Sequence, residues 1–159
     1  MTNNRPSDDN MEKLKQQLRE TFETRDFEGA LVLVEPILKL SPNDEQALNI
    51  KAISLANLGG NQEALECFKK IIDINPNDEN AWSNKGFSLV NLGEHREAIK
   101  CYDKVIELNP QNDTAWSNKG FSLVNLGEHR EAIECYDKAT NINDDNDTAW
   151  LNKGELLYN

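Results

Sequence analysis

The sequence predicts an all-α array of antiparallel helix pairs, and three observations predict it. First, Ala81–Ile99 reads AWSNKGFSLVNLGEHREAI, and the same string recurs unchanged at Ala115–Ile133, 34 residues on. Trp82, Trp116 and Trp150 keep that offset, as do Cys67, Cys101 and Cys135, and Pro42, Pro76 and Pro110. A fixed period of this size marks an array of small supersecondary units, each of which buries its apolar face against its neighbours. Second, apolar residues within a period recur at helical spacing. Third, glycine and proline punctuate the period, as at Gly93 and Pro110.

At that period the units are 11–44, 45–78, 79–112, 113–146 and a partial 147–159, about 4.5 repeats. The polar stretch 1–10 is expected to be a disordered tail. In unit 79–112, Trp82, Gly86 and Leu89 form one helical stripe, which Leu92-Gly93 closes. Gly93 suits the left-handed conformation that ends many helices. Ala98, Tyr102 and Val105 form the stripe of a second helix. Asn109-Pro110 ends it, because proline cannot continue a helix and constrains the residue before it. Asn77-Asp78 supplies side chains to cap the following first helix. Gly86 costs about 1 kcal/mol in a helix interior, so close approach of a neighbouring helix is its expected purpose, with Ala98 in the matching role opposite. Pro36 falls inside a second helix and predicts a kink or an early stop. The last unit holds one helix.

The order Trp, Gly, Ala, Tyr, Pro within 34 residues resembles the tetratricopeptide repeat family at Trp82, Gly86, Ala98, Tyr102 and Pro110, and again at Trp116, Gly120, Ala132 and Tyr136. It is matched more loosely at Ala52, Ala64, Phe68 and Pro76. Two departures recur. Lys51, Lys85, Lys119 and Lys153 stand where the family usually has Leu, and Leu55, Leu89, Leu123 and Leu157 where it usually has Tyr. The resemblance implies an α-solenoid with a right-handed superhelix and a concave groove that receives peptides.

Composition narrows the function. The net charge of −11 opposes a phosphate backbone, whose binding depends on cations displacing counterions, and opposes anionic lipid surfaces. Nucleic acid and membranes are therefore not expected partners. The longest apolar run, Ala30–Val34, is far below the ~20 residues of a membrane helix. Residues 1–10 lack the apolar core of a secretory leader. Three cysteines cannot close a disulfide framework. A cytoplasmic location follows. The 38% hydrophobic content suits a core that is a narrow seam between stacked helices.

On the first helix of unit 79–112, Asn80, Asn84, Phe87 and Asn91 lie about 140–200° from Trp82. The next unit repeats this stripe as Thr114, Asn118, Phe121 and Asn125, and the last offers Thr148, Asn152 and Glu155. Unit 45–78 is more apolar there, with Gln46, Ile50, Ile53 and Asn57. An amide both donates and accepts, so Asn84, Asn118 and Asn152 can pair with an extended peptide backbone of any sequence. The row resembles the asparagine ladder of the tetratricopeptide superhelix in O-GlcNAc transferase. Phe87 and Phe121 add apolar anchors. A carboxylate clamp of the chaperone-binding kind would start from Lys15 and Arg19, but Ile50, Asn80 and Asn84 leave it incomplete.

Other chemistry finds little support. His95 and Cys101, like His129 and Cys135, sit six residues apart on different helix faces, unlike the local spacing of zinc ligands. No phosphate-binding loop, nucleophile elbow or zinc-protease motif occurs, and no cofactor is expected. Glu94, Glu97 and Asp103 alternate with Lys100 and Lys104 as a solvated face. The lysine series is expected to snorkel, its stems packed and its ammonium groups wet; acidic partners on a neighbouring helix are the alternative. The chain thus reads as a non-enzymatic adaptor for a peptide or extended protein segment. The rival reading is self-assembly through the array end, where Leu151, Leu156 and Tyr158 are apolar.

Overall fold

The computed structural model describes residues 8–158. Among them are nine helices: α1 Asp8–Glu23, α2 Phe27–Leu40, α3 Glu45–Asn57, α4 Asn61–Ile74, α5 Glu79–Asn91, α6 His95–Leu108, α7 Asp113–Asn125, α8 His129–Ile142 and α9 Asp147–Tyr158. They are antiparallel pairs, and within α1–α4 and within α5–α9 each helix packs chiefly on the next in sequence. The chain divides into two compact units, one ending at Pro76 and one beginning at Asn77. Most of the expected tail, residues 1–7, lies outside the described residues; Asp8–Asn10 form the first residues of α1.

The helix boundaries follow from hydrogen bonds that the repeat renews each time. Asp44, Asp78, Asn112 and Asn146 each precede a first helix, and their side chains accept from the N–H groups of Ala47, Ala81, Ala115 and Ala149 at 2.7–2.9 Å. Such a cap answers one of the helix's orphan donors, and its loss costs about 1 kcal/mol. At the other end of α5, Gly93 N–H donates to Val90 O and Glu94 N–H to Leu89 O, both at 2.9 Å. This is the Schellman pair, which needs a left-handed residue. Gly59, Gly93 and Gly127 supply it with φ of 85°, 76° and 78°. In the first pair Arg25 takes the same conformation with φ 62°, and Asp26 N–H donates to Thr21 O.

In the first unit, Leu18, Ala30, Val34, Ile37, Ala47 and Ile50 form a buried cluster, flanked by Met11, Leu14 and Phe22. Phe68 and Ile71 of α4 are also fully buried. Pro36 does not stop α2, which runs four residues further to Leu40. Its ring lies on the exposed face. The carbonyl it deprives of a partner belongs to Val32, which is 74% exposed, so water can replace the missing N–H.

In the second unit the core is built differently. Tyr102 and Tyr136 are 0% exposed and lie against glycine. A Cβ on Gly86 would stand 2.8 Å from Tyr102 Cε1, and one on Gly120 would stand 2.7 Å from Tyr136 Cε1. The helical glycines are therefore where close approach requires them, against tyrosine, and Ala98 is buried too. Around α8, Leu123, Ala132, Cys135, Tyr136, Ala139 and Ala149 form one cluster with Trp116 and Leu156 packed on it.

The lysine series corrects the snorkelling expectation. Lys51 pairs with Glu35 and Lys119 with Asp103, both at 2.5 Å, and Lys153 pairs with Asp137. Each acid belongs to the second helix of the preceding pair. Lys85, Lys119 and Lys153 also lie over the rings of Trp82, Trp116 and Trp150. Between pairs, Glu79 accepts from the amides of Asn109 and Asn112 at 3.2 and 2.6 Å, and Asp113 from Asn143 and Asn146 at 2.9 and 2.8 Å.

Candidate functional site

The second unit carries the face singled out from sequence. It lies on α5, α7 and α9, each a first helix, with the glycine–tyrosine contacts beneath α5 and α7. Phe87 of α5 is 54% exposed and Phe121 of α7 is 43% exposed. Asn84, Asn118 and Asn152 are half-buried. Among the described residues no protein hydrogen bond engages the amides of Asn84 or Asn118. Asn80, Asn91, Thr114 and Asn125 are exposed. The Asn125 amide turns back to donate to Phe121 O at 2.9 Å, which closes the last turn of α7 and removes that donor from the row.

Two cavities open on this face. The first, about 200 Å³, is lined by Phe87, Val90, Tyr102, Ser117, Asn118, Phe121, Thr148 and Asn152. The second, about 450 Å³, is lined by Phe121, Val124, His129, Tyr136, Asn152, Glu155 and Leu156. Four expected site residues, Phe87, Asn118, Phe121 and Asn152, therefore meet in or between these cavities. Asn84 sits on the same face but lines neither. His95, at the start of α6, stands edge-on to Phe121 with ring centroids 6.4 Å apart.

The tyrosines were read from sequence as core only, yet each also lines a cavity. Their hydroxyls are buried and, among the described residues, meet no partner at hydrogen-bonding geometry; Ser117 Oγ is in the same position. Burial raises the Tyr102 phenol well above its ordinary range. Burial pushes Tyr136 up to about 12, although the nearby Asn152 amide pulls the other way. Both stay neutral at any physiological pH. The signal was present in sequence: a hydroxyl on an otherwise apolar stripe, repeated at the period of the row opposite.

The cations of the partial clamp are engaged within the first unit. Lys15 pairs with Asp44 at 2.7 Å, and the Arg19 guanidinium donates to Gln16 and Gln46. Cys101 and Cys135 are buried, and burial pushes both thiols up to about 11, so neither presents a thiolate. No group of three His, Cys, Asp or Glu among the described residues is placed to hold a metal ion. No helix among them is long and apolar enough to cross a membrane.

Comparison with known proteins agrees with this architecture. Three repeat models match in succession: Tetratricopeptide repeat over residues 79–112, Tetratricopeptide repeat over 101–134 and TPR repeat over 122–159. Protein prenyltransferase alpha subunit repeat matches 61–92. No curated protein matches significantly. Among solved structures, MamA 41-end from Desulfovibrio magneticus RS-1 is 22% identical, with a TM-score of 0.88 over 93% of this chain and 84% of that one. Another crystal structure of MamA is 25% identical, with a TM-score of 0.84 over 89% and 82%. The first TPR of Spaghetti (RPAP3), bound to the HSP90 peptide SRMEEVD, is 20% identical, with a TM-score of 0.69 over 72% and 90%. With its helix pairs, its glycine–tyrosine seams and successive repeat matches spanning residues 79–159, this chain belongs to the tetratricopeptide repeat family.

Proposed function

We infer that the second unit binds an extended peptide or protein segment across α5, α7 and α9, and that the chain serves as an adaptor without catalytic chemistry. One observation carries the reading: exposed Phe87 and Phe121 and half-buried Asn118 and Asn152 line cavities on a single face. Aromatic anchors beside adaptable amides are what an extended ligand needs, because apolar side chains fill the cavities while its backbone pairs with the amides. RPAP3, which shares the fold, is seen with a bound peptide. The net charge of −11 disfavours nucleic acid.

The test is selection of ligands from a random-peptide display library on the full chain, followed by affinity measurement on variants. Asn84→Ala with Asn118→Ala, and separately Phe121→Ala, are surface changes that leave the packed seams intact. Phe121→Ala should cost at least about 2 kcal/mol of binding if it is the anchor. Affinity unchanged in both variants would put the site elsewhere.

A second reading is assembly through α9, where Trp150, Leu151 and Leu157 are exposed. Light scattering across protein concentration tests it. A strict monomer, or an oligomer indifferent to Leu151→Ser with Leu157→Ser, would exclude it.

A further inference from the structure

The two cavities of the second unit are one subsite written twice. Val90 and Val124, Tyr102 and Tyr136, and Asn118 and Asn152 are the same repeat positions, 34 residues apart. Where Phe87 and Phe121 stand in successive repeats, however, the third copy has Glu155. The first cavity is therefore walled by two phenylalanines and is neutral. The second keeps Phe121 on one side, sets a carboxylate on the other and adds Leu156 to the lining.

We propose that these are two adjacent and chemically distinct side-chain subsites, and that the ligand is a peptide carrying an apolar residue for the first and a lysine or arginine for the second. The proposal rests on the peptide-binding reading above. The first cavity, at about 200 Å³, is smaller than the ~300 Å³ at the low end of small-molecule pockets, and suits one side chain. In the second cavity a long cationic side chain lays its stem along Phe121, Val124 and Leu156 and brings its head to Glu155. The Tyr136 hydroxyl and the Asn152 carbonyl oxygen offer further acceptors. His129 shares the lining and is the one group there that could repel a cation. The whole chain, at −11, draws a basic segment over long range. An acidic peptide meets the opposite field.

The same display library decides it, selected in parallel on the natural chain, on Glu155→Lys and on Glu155→Phe. Glu155 is exposed, so these variants should fold, and circular dichroism checks that they do. Peptides from the natural chain should share a basic residue at a fixed distance from an apolar one. Glu155→Lys should weaken them at least about tenfold and select acidic residues at that position instead; Glu155→Phe should select a second apolar residue. The loss should shrink as salt rises. Peptides that depend on Phe121 and Asn118 but show no basic position, or one that Glu155→Lys leaves unchanged, would overturn the subsite assignment and leave the groove standing. Selection of nothing, or of peptides indifferent to Phe121→Ala and Asn118→Ala, would overturn both.

Discussion

The two compact units solve the same packing problem with different volumes. At one pair of repeat positions, on facing helices, the first unit has Leu18 with Val34 and then Ala52 with Phe68. The second unit has Gly86 with Tyr102 and then Gly120 with Tyr136. All eight residues are buried. As the second-helix residue grows from Val to Phe to Tyr, the first-helix residue shrinks from Leu to Ala to Gly. The smaller partner makes room for the larger ring, as dense packing demands. The difference has a functional side. The first unit carries apolar Ile50 and Ile53 on the stripe where the second has Asn84 and Phe87, and its cations Lys15 and Arg19 are tied internally. The second unit fills its core with aromatic rings and leaves phenylalanine and asparagine on the surface.

The largest expected effect comes from breaking that exchange of volume. Gly120→Leu forces a side chain into the Tyr136 ring and should unfold or splay the second unit, costing about 3 kcal/mol or more. Gly154 has no neighbour within 4 Å of an added Cβ, so Gly154→Ala should instead raise stability by up to about 1 kcal/mol through helix propensity. Thermal melting of the two variants should give shifts of opposite sign. Equal destabilisation by both would refute the glycine–tyrosine account.

The left-handed turns sharpen the comparison at smaller scale. Gly127→Ala should cost about 1 kcal/mol, and Arg25→Gly should gain a similar amount, since the first helix pair alone among the four such turns asks a side-chain-bearing residue to hold positive φ. Chemical denaturation read as a midpoint shift checks both. Tyr102→Phe removes a buried hydroxyl that meets no partner among the described residues and should leave stability unchanged or slightly raised; a loss above about 1 kcal/mol would mean that the hydroxyl has a partner in solution.

The smallest effect is electrostatic. Burial alone would raise the Asp44 carboxyl, but the Lys15 ammonium and the Ala47 N–H override it and hold it below its ordinary 3.8. The hydrogen bond to Asp44 raises Lys15 above 10.5. A depressed carboxyl stabilises the fold above its unfolded value and loses that contribution as pH falls through the folded value. A raised ammonium loses its share as pH climbs past 10.5. The pair therefore acts between about pH 4 and 10.5. Asp44→Asn keeps the cap, as Asn112 does, and removes only the charge. It should cost about 0.5 kcal/mol at pH 7 and progressively less as pH falls below 3.8. A cost independent of pH would show the cap, not the charge, to be what was lost.

Much of this was legible without coordinates, and for local reasons. A glycine at positive φ, an aspartate before a helix and a proline after one act on their own backbone, so Gly93, Asp78 and Pro110 announce their roles in sequence. Pro36 misleads under the same rule: whether a proline ends a helix depends on whether the carbonyl it deprives can reach water, and that depends on which face is exposed. The lysine series misleads similarly, because Glu35, Asp103 and Asp137 lie 16 residues before their partners and only packing brings them together.

By itself, then, the sequence determined the unit, its two helices, their ends and the stripe each turns outward, since period and punctuation are one-dimensional properties of the chain. Only the tertiary structure decided that tyrosine lies on glycine, that the stripe opens into two cavities, and that Glu155 replaces a phenylalanine in the wall of the second. Those facts depend on atoms more than a turn apart meeting within a few ångströms, and side-chain volume settles that only after the helices have packed.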